Sequence, residues 1–90
     1  MKISQEKKEK ISEQILAYLY SQHPKMVFTS NIASELARDE EFIKKLLFEL
    51  KSKNLITEIK KNSKGVYYSK RLRWKLTEAV YNTYKNIQLR

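Results

Sequence analysis

Cysteine is absent from this 90-residue sequence, and glycine, proline and histidine occur once each. Without cysteine there is neither a disulfide frame nor a thiolate-ligated zinc site. Imidazole chemistry has one candidate, His23, which precedes Pro24 with nothing beside it in sequence to orient it. No phosphate-binding glycine loop, nucleophile elbow or metal-ligand spacing is present. The carboxylate cluster Asp39-Glu40-Glu41 falls within one helical turn, where capping already accounts for it. An enzyme is therefore not expected, and no cofactor or metal is called for. Also missing is any run of about 18 apolar residues that could cross a membrane. The opening MKISQEKKEK is charged and leads into an amphipathic segment, unlike a signal peptide. The expectation is a cytoplasmic protein with no membrane contact.

Positive charge is what the chain has in excess: 19 Lys and Arg against 10 Asp and Glu, a formal net charge of +9. Such a field draws in polyanions, so nucleic acid is the expected partner, ahead of an acidic membrane or an acidic protein. An apolar content of 41% is enough for a folded domain rather than a disordered chain. A domain this small hides only about 60–65% of its unfolded surface, so nearly every large apolar residue must contribute to one core. Residues 1–90 are read as a single domain.

From about Ser4 to Ser21, Ile11, Ile15, Leu16, Tyr18 and Leu19 recur at helical spacing. His23-Pro24 ends this helix, because a residue before proline is pushed out of helical angles. Met26-Val27-Phe28 suits a short strand, and Thr29, Ser30 and Asn31 are alternative N-caps for a second helix. Ile32, Ala33 and Leu36 mark its inner face. Asp39 is placed to cap a third helix whose buried stripe is Ile43, Leu46, Leu47 and Leu50. Asn54 stands where a left-handed residue would end it. The period then shortens. Leu55 to Ile59 reads as a strand, Asn62-Ser63-Lys64-Gly65 as a turn, and Val66 to Leu76 as a second strand. Leu72, Trp74 and Leu76 alternate with outward Arg71, Arg73 and Lys75. A rival reading starts the last helix near Arg71; in the preferred one Thr77 caps it and Val80, Tyr84 and Ile87 face inward.

Helix, strand, helix, turn, helix, hairpin, helix is an α+β, mostly α, order that resembles the winged helix-turn-helix domain. The likeness is to the small MarR-like and ArsR-like transcription regulators. It rests on Ile32-Ala33, Leu36, Asp39, Ile43, and Leu50 followed by Asn54-Leu55-Ile56, with Leu76-Thr77 joining the hairpin to the last helix. The helix-turn-helix is placed at about 31–53, the wing at about 55–76 and the C-terminal helix at about 78–88. The resemblance implies duplex DNA as partner, with the third helix in the major groove and the wing on the backbone or in the minor groove. It also suits a helix-mediated homodimer. The same domain occurs as a structural part of polymerases and ribosomal proteins, so a subunit of a nucleoprotein machine and an RNA-binding module are the alternatives.

The outward face of the third helix carries Glu41, Lys44, Lys45, Phe48 and Ser52, and the helix as a whole is charge-balanced. Regulators of this kind usually place Ser, Thr, Arg or Gln where this chain has Glu40 and Glu41. Positive charge is concentrated instead at Lys60, Lys61, Lys64, Lys70, Arg71, Arg73 and Lys75, opposed by Glu58 alone. Candidate DNA-binding residues are therefore Arg38, Lys44, Lys45, Lys60, Lys61, Lys64, Lys70, Arg71 and Arg73. Arg38, in the turn, either reaches phosphate or is solvated. Contacts of this type give affinity and salt dependence with little sequence information. Trp74 reads as core, and one of Tyr67 and Tyr68 should be exposed. Phe48 could touch a thymine methyl group, pack beneath the wing or meet a partner protein. Tyr18 and Tyr20 are not both expected to face the core, and Tyr81 falls off the last helix's stripe. Tyr18, Tyr20, Phe48, Tyr81 and Tyr84 are the candidate dimer or partner contacts.

Overall fold

In the computed structural model, which describes residues 4–59 and 72–88, helix α1 spans Gln5–Gln22. Ser4 starts it by accepting the Lys7 N–H at 3.2 Å. Ile11, Ile15 and Leu19, four apart, are its buried edge. The helix stops at His23, whose ψ of 138° is the extended value required before Pro24. Strand β1, Val27–Phe28, runs directly into α2, Thr29–Leu36.

None of Thr29, Ser30 and Asn31 caps α2. The helix begins at Thr29 itself, with Phe28 in the cap position and no side-chain cap bond. A tertiary demand takes the threonine instead. Its hydroxyl accepts the Trp74 indole N–H at 2.8 Å, and its backbone N–H donates to the Leu72 carbonyl at 3.2 Å. One buried Thr thus binds the start of α2 to the third strand, where a local cap would have left the indole N–H unpaired.

Ala37, left-handed at φ 54°, ends α2, and the Arg38 N–H reaches back to the Ala33 carbonyl at 2.9 Å. Asp39 then caps α3, Glu40–Ser52, accepting the Phe42 N–H at 3.1 Å, as the sequence requires. A cap of this kind contributes about 1 kcal/mol. Glu40 and Glu41 sit in the first turn, where the helix dipole favours negative charge. Ile43, Leu46, Leu47 and Leu50 are all buried, and Asn54 takes the left-handed conformation at φ 63°.

Strand β2 is Ile56–Ile59 and β3 is Arg73–Leu76. The sheet order is β1-β3-β2 and both pairings are antiparallel. Trp74 pairs with Val27 on one side and Glu58 on the other; Leu76 pairs with Ile56. Trp74 and Leu76 are buried, and Leu72 is half-buried against the same core. The reading of residues 72–76 as helix is thereby excluded. The turn at 62–65 and the start of the second strand, 66–71, lie outside the described residues. The core fills the space between the three helices and the inner face of the sheet, with Trp74, Ile15, Ile32, Ile43 and Leu47 at its centre.

Thr77 leads into α4, Glu78–Gln88. Its hydroxyl accepts the Val80 N–H at 3.4 Å and lies 3.3 Å from the Asn54 carbonyl, so the cap also ties α4 to the end of α3. The inner face of α4 differs from the expected Val80, Tyr84 and Ile87. Val80, Tyr81 and Tyr84 pack against the core, whereas Ile87 is 58% exposed. The surface offered to α4 is Tyr20 and His23 at the end of α1, and this draws Tyr81 inward and turns Ile87 out.

Candidate nucleic-acid interface

The outer side of α3 follows from its period: with Ile43, Leu46, Leu47 and Leu50 inward, Glu41, Lys45, Phe48 and Ser52 are exposed and Lys44 is half-buried. Arg38 is exposed in the turn before the helix.

Of its three alternatives, Phe48 takes the one beneath the hairpin with one edge of its ring, and it stays 40% exposed. Its ring stands edge-on to Trp74, with centroids 5.5 Å apart and planes at 87°. Beside it, Lys51 Nζ lies 3.1 Å from Glu58 Oε1 and 5.7 Å from the centre of the Phe48 ring. Glu58 occupies the same sheet face as Trp74, its cross-strand partner. Lys51 and Glu58 were not among the sequence candidates, although Glu58 is conspicuous as the lone acid in the basic stretch.

Arg73 stands on the face opposite Trp74, as the alternation predicts, but it is half-buried there. It lies in a row with Phe28 and Ile59, its cross-strand partners, and its guanidinium carbon lies 6.0 Å from the Phe28 ring centre. Alternation puts Arg73 and Lys75 on the face of the sheet opposite Trp74. Lys44 and Lys45 lie on α3, on the side of that helix that carries Phe48. Lys75 is likewise half-buried. Lys60, Lys61, Lys64, Lys70 and Arg71, together with Tyr67 and Tyr68, lie outside the described residues.

Of the remaining aromatic candidates, Tyr20, Tyr81 and Tyr84 form a cluster with His23 within the chain. Tyr20 lies 5.5 Å from Tyr81 and 5.6 Å from Tyr84, and His23 stacks on Tyr81 at 3.9 Å. Tyr18 and Tyr20 are both half-buried against the core, contrary to the expectation that only one would face it. They flank the buried Leu19, so each can turn one edge inward. Burial, and then the Glu13 carboxylate, raise the Tyr84 phenol above its usual 10.0. With the folded value above the unfolded one, this group's contribution to stability is complete below pH ~10 and is lost as pH climbs through the raised value. Tyr84→Phe should therefore flatten the fall in melting temperature above pH ~10; an unchanged alkaline profile would exclude Tyr84 as its source.

Among the described residues, no group of three or more His, Cys, Asp or Glu side chains could hold a metal ion. No helix among them is long and apolar enough to cross a membrane.

No family model matches the chain, and no curated protein matches it. Solved structures do. The Staphylococcus aureus MepR–DNA complex superposes with a TM-score of 0.73 at 21% identity, covering 92% of this chain and 65% of that one. Lactococcus lactis ZitR, as the apo C30AH42A mutant, gives 0.70 at 23% identity, covering 93% and 58%. The apo-Zalpha of zebrafish PKZ gives 0.63 at 22% identity, covering 80% of this chain and 98% of that one. The chain thus spans 65% of the MepR chain and 58% of the ZitR chain. The fold they share with it is the winged helix-turn-helix.

Proposed function

We propose that the chain is a duplex DNA-binding protein acting in transcription regulation, with α3 directed at the major groove and the basic hairpin on the backbone or in the minor groove. The observation that carries this reading is a helix-turn-helix with an exposed polar face, followed at once by a stretch with seven cations and one acid between Thr57 and Lys75. The shared fold with a regulator solved on DNA supports it. So does the concentration of charge, because neutralising phosphate supplies most non-specific affinity. With the charge on the hairpin and α3 neutral overall, that affinity is salt-sensitive and modestly selective. Tyr18 and the exposed Ile87 are the surface left for a second copy of the chain.

Titration of a generic duplex from about 50 to 200 mM salt tests the reading. Binding at the low end with a steep, linear fall of log K against log salt is expected. A flat plot, or no binding near 50 mM, would overturn it. A second reading, a subunit docked on a larger nucleoprotein assembly, is favoured by the acidic first turn of α3. It requires negligible affinity for free duplex in the same titration. Competition between duplex DNA and structured RNA separates the RNA-binding alternative.

A further inference from the structure

We propose that Phe48 and the Lys51–Glu58 ion pair form a joint that fixes the hairpin relative to α3, making them positioning residues for nucleic-acid binding. The proposal rests on the DNA-binding reading above.

The Glu58 side chain is only 3% exposed. A carboxylate withdrawn from water is costly unless it is paired, so this acid is poorly explained as a solubilising residue. Its partner Lys51 is held at 3.1 Å and remains 43% exposed, which leaves the pair open to solvent on the lysine side. Phe48, 40% exposed on the outer side of a helix whose buried stripe is elsewhere, is equally out of place as a core residue. It makes sense as the surface on which Trp74, and therefore β3, is seated. Residues 48 and 51 lie on successive turns of one helix face. Each reaches a different strand of the hairpin: Phe48 meets Trp74 on β3, and Lys51 meets Glu58 on β2. Trp74 and Leu76 already seat β3 in the core, and the two tethers add a restraint on both strands at its solvent edge.

The joint matters for binding because α3 and the hairpin cations must meet one duplex together. If their relative orientation is fixed beforehand, the second contact forms as an intramolecular event with no further ordering cost. If it is loose, each set of contacts binds nearly independently, and more weakly.

Three measurements on the full chain decide this. Residual dipolar couplings of the free protein report the orientation of β3 against α3 without any DNA. Phe48→Ala and Lys51→Glu are expected to change it, and unchanged couplings would overturn the joint whatever the protein binds. In duplex binding, Phe48→Ala is expected to cost about threefold to tenfold in affinity. It should also shrink the further loss caused by Lys70→Ala with Arg71→Ala; strictly additive losses would mean Phe48 only makes a contact of its own. Lys51→Glu and Glu58→Lys should each change the couplings, and the double exchange, which leaves the net charge unaltered, should restore them and keep duplex affinity within about twofold of wild type. Failure of that rescue, with thermal melting showing the double variant folded, would overturn the role of the ion pair. No binding by the wild-type protein would overturn the DNA-binding reading instead, leaving the couplings to decide the joint.

Discussion

Trp74→Ala is expected to destabilise the domain by about 3–5 kcal/mol, the usual cost of truncating a large buried aromatic. Trp74 has no exposed surface and sits on the central strand, between Val27 and Glu58. Its indole N–H is the bond that holds the start of α2, and its ring supports Phe48 on α3. Truncation would therefore open a cavity and also leave the Thr29 hydroxyl without its donor. Domains of this size are stable by roughly 5–15 kcal/mol, so the loss would consume a large part of the total. Urea unfolding followed by circular dichroism measures it, since the variant has no tryptophan left for fluorescence. Trp74→Phe keeps most of the apolar volume but not the N–H, and should cost about 1–3 kcal/mol. A Trp74→Ala midpoint close to wild type would show that the elements meeting at Trp74 are held together elsewhere.

Replacing Lys60, Lys61, Lys64, Lys70 and Arg71 together by alanine should have the largest effect on binding. Each cation that meets a phosphate adds about 0.9 to the slope of log K against log salt. At 0.1 M salt each lost contact costs about 0.9 of a decade, so losing two would already weaken binding roughly 60-fold. The variant should also bind with a much flatter salt plot, and unchanged circular dichroism would show that the fold is intact. Lys44→Ala with Lys45→Ala, on a helix that is neutral overall, should cost less. An equal or greater loss from the α3 pair would move the main phosphate grip from the hairpin to the helix.

What the sequence disclosed of the fold was set by how local each cause is. Asp39, the Ile43-Leu46-Leu47-Leu50 stripe and Asn54 all act within a few residues of themselves, through capping, period and backbone conformation. Each stands where its spacing places it. Thr29 had the chemistry of a cap but was engaged by an indole far along the chain, and no local pattern carries that information. Tyr81 and Ile87 exchanged places because the stripe of α4 depends on which surface receives it, here Tyr20 and His23. The site was legible to a smaller extent. Sequence alternation separated Trp74 from Arg73 and Lys75, yet it did not show that Arg73 would lie over Phe28. Phe48 was recognised as anomalous, but its reason lay across the joint, in the strand that packs on it. Glu58 and Lys51 were missed because an ion pair between a helix and a strand has no fixed sequence spacing.

The strand order β1-β3-β2 puts the last strand to be made in the middle of the sheet. During synthesis the first three helices can pack on one another, but both outer strands emerge before the strand that joins them. Val27 and Ile56 remain without their cross-strand neighbours until Trp74 and Leu76 have left the ribosome. The loops that must close to bring these residues together are long, so their entropy is lost before the contacts form. The sheet is thus completed only once residues 73–76 have been made. A nascent chain stopped short of Arg73 would leave the apolar surface that receives Trp74 and Leu76 open to chaperones and proteases.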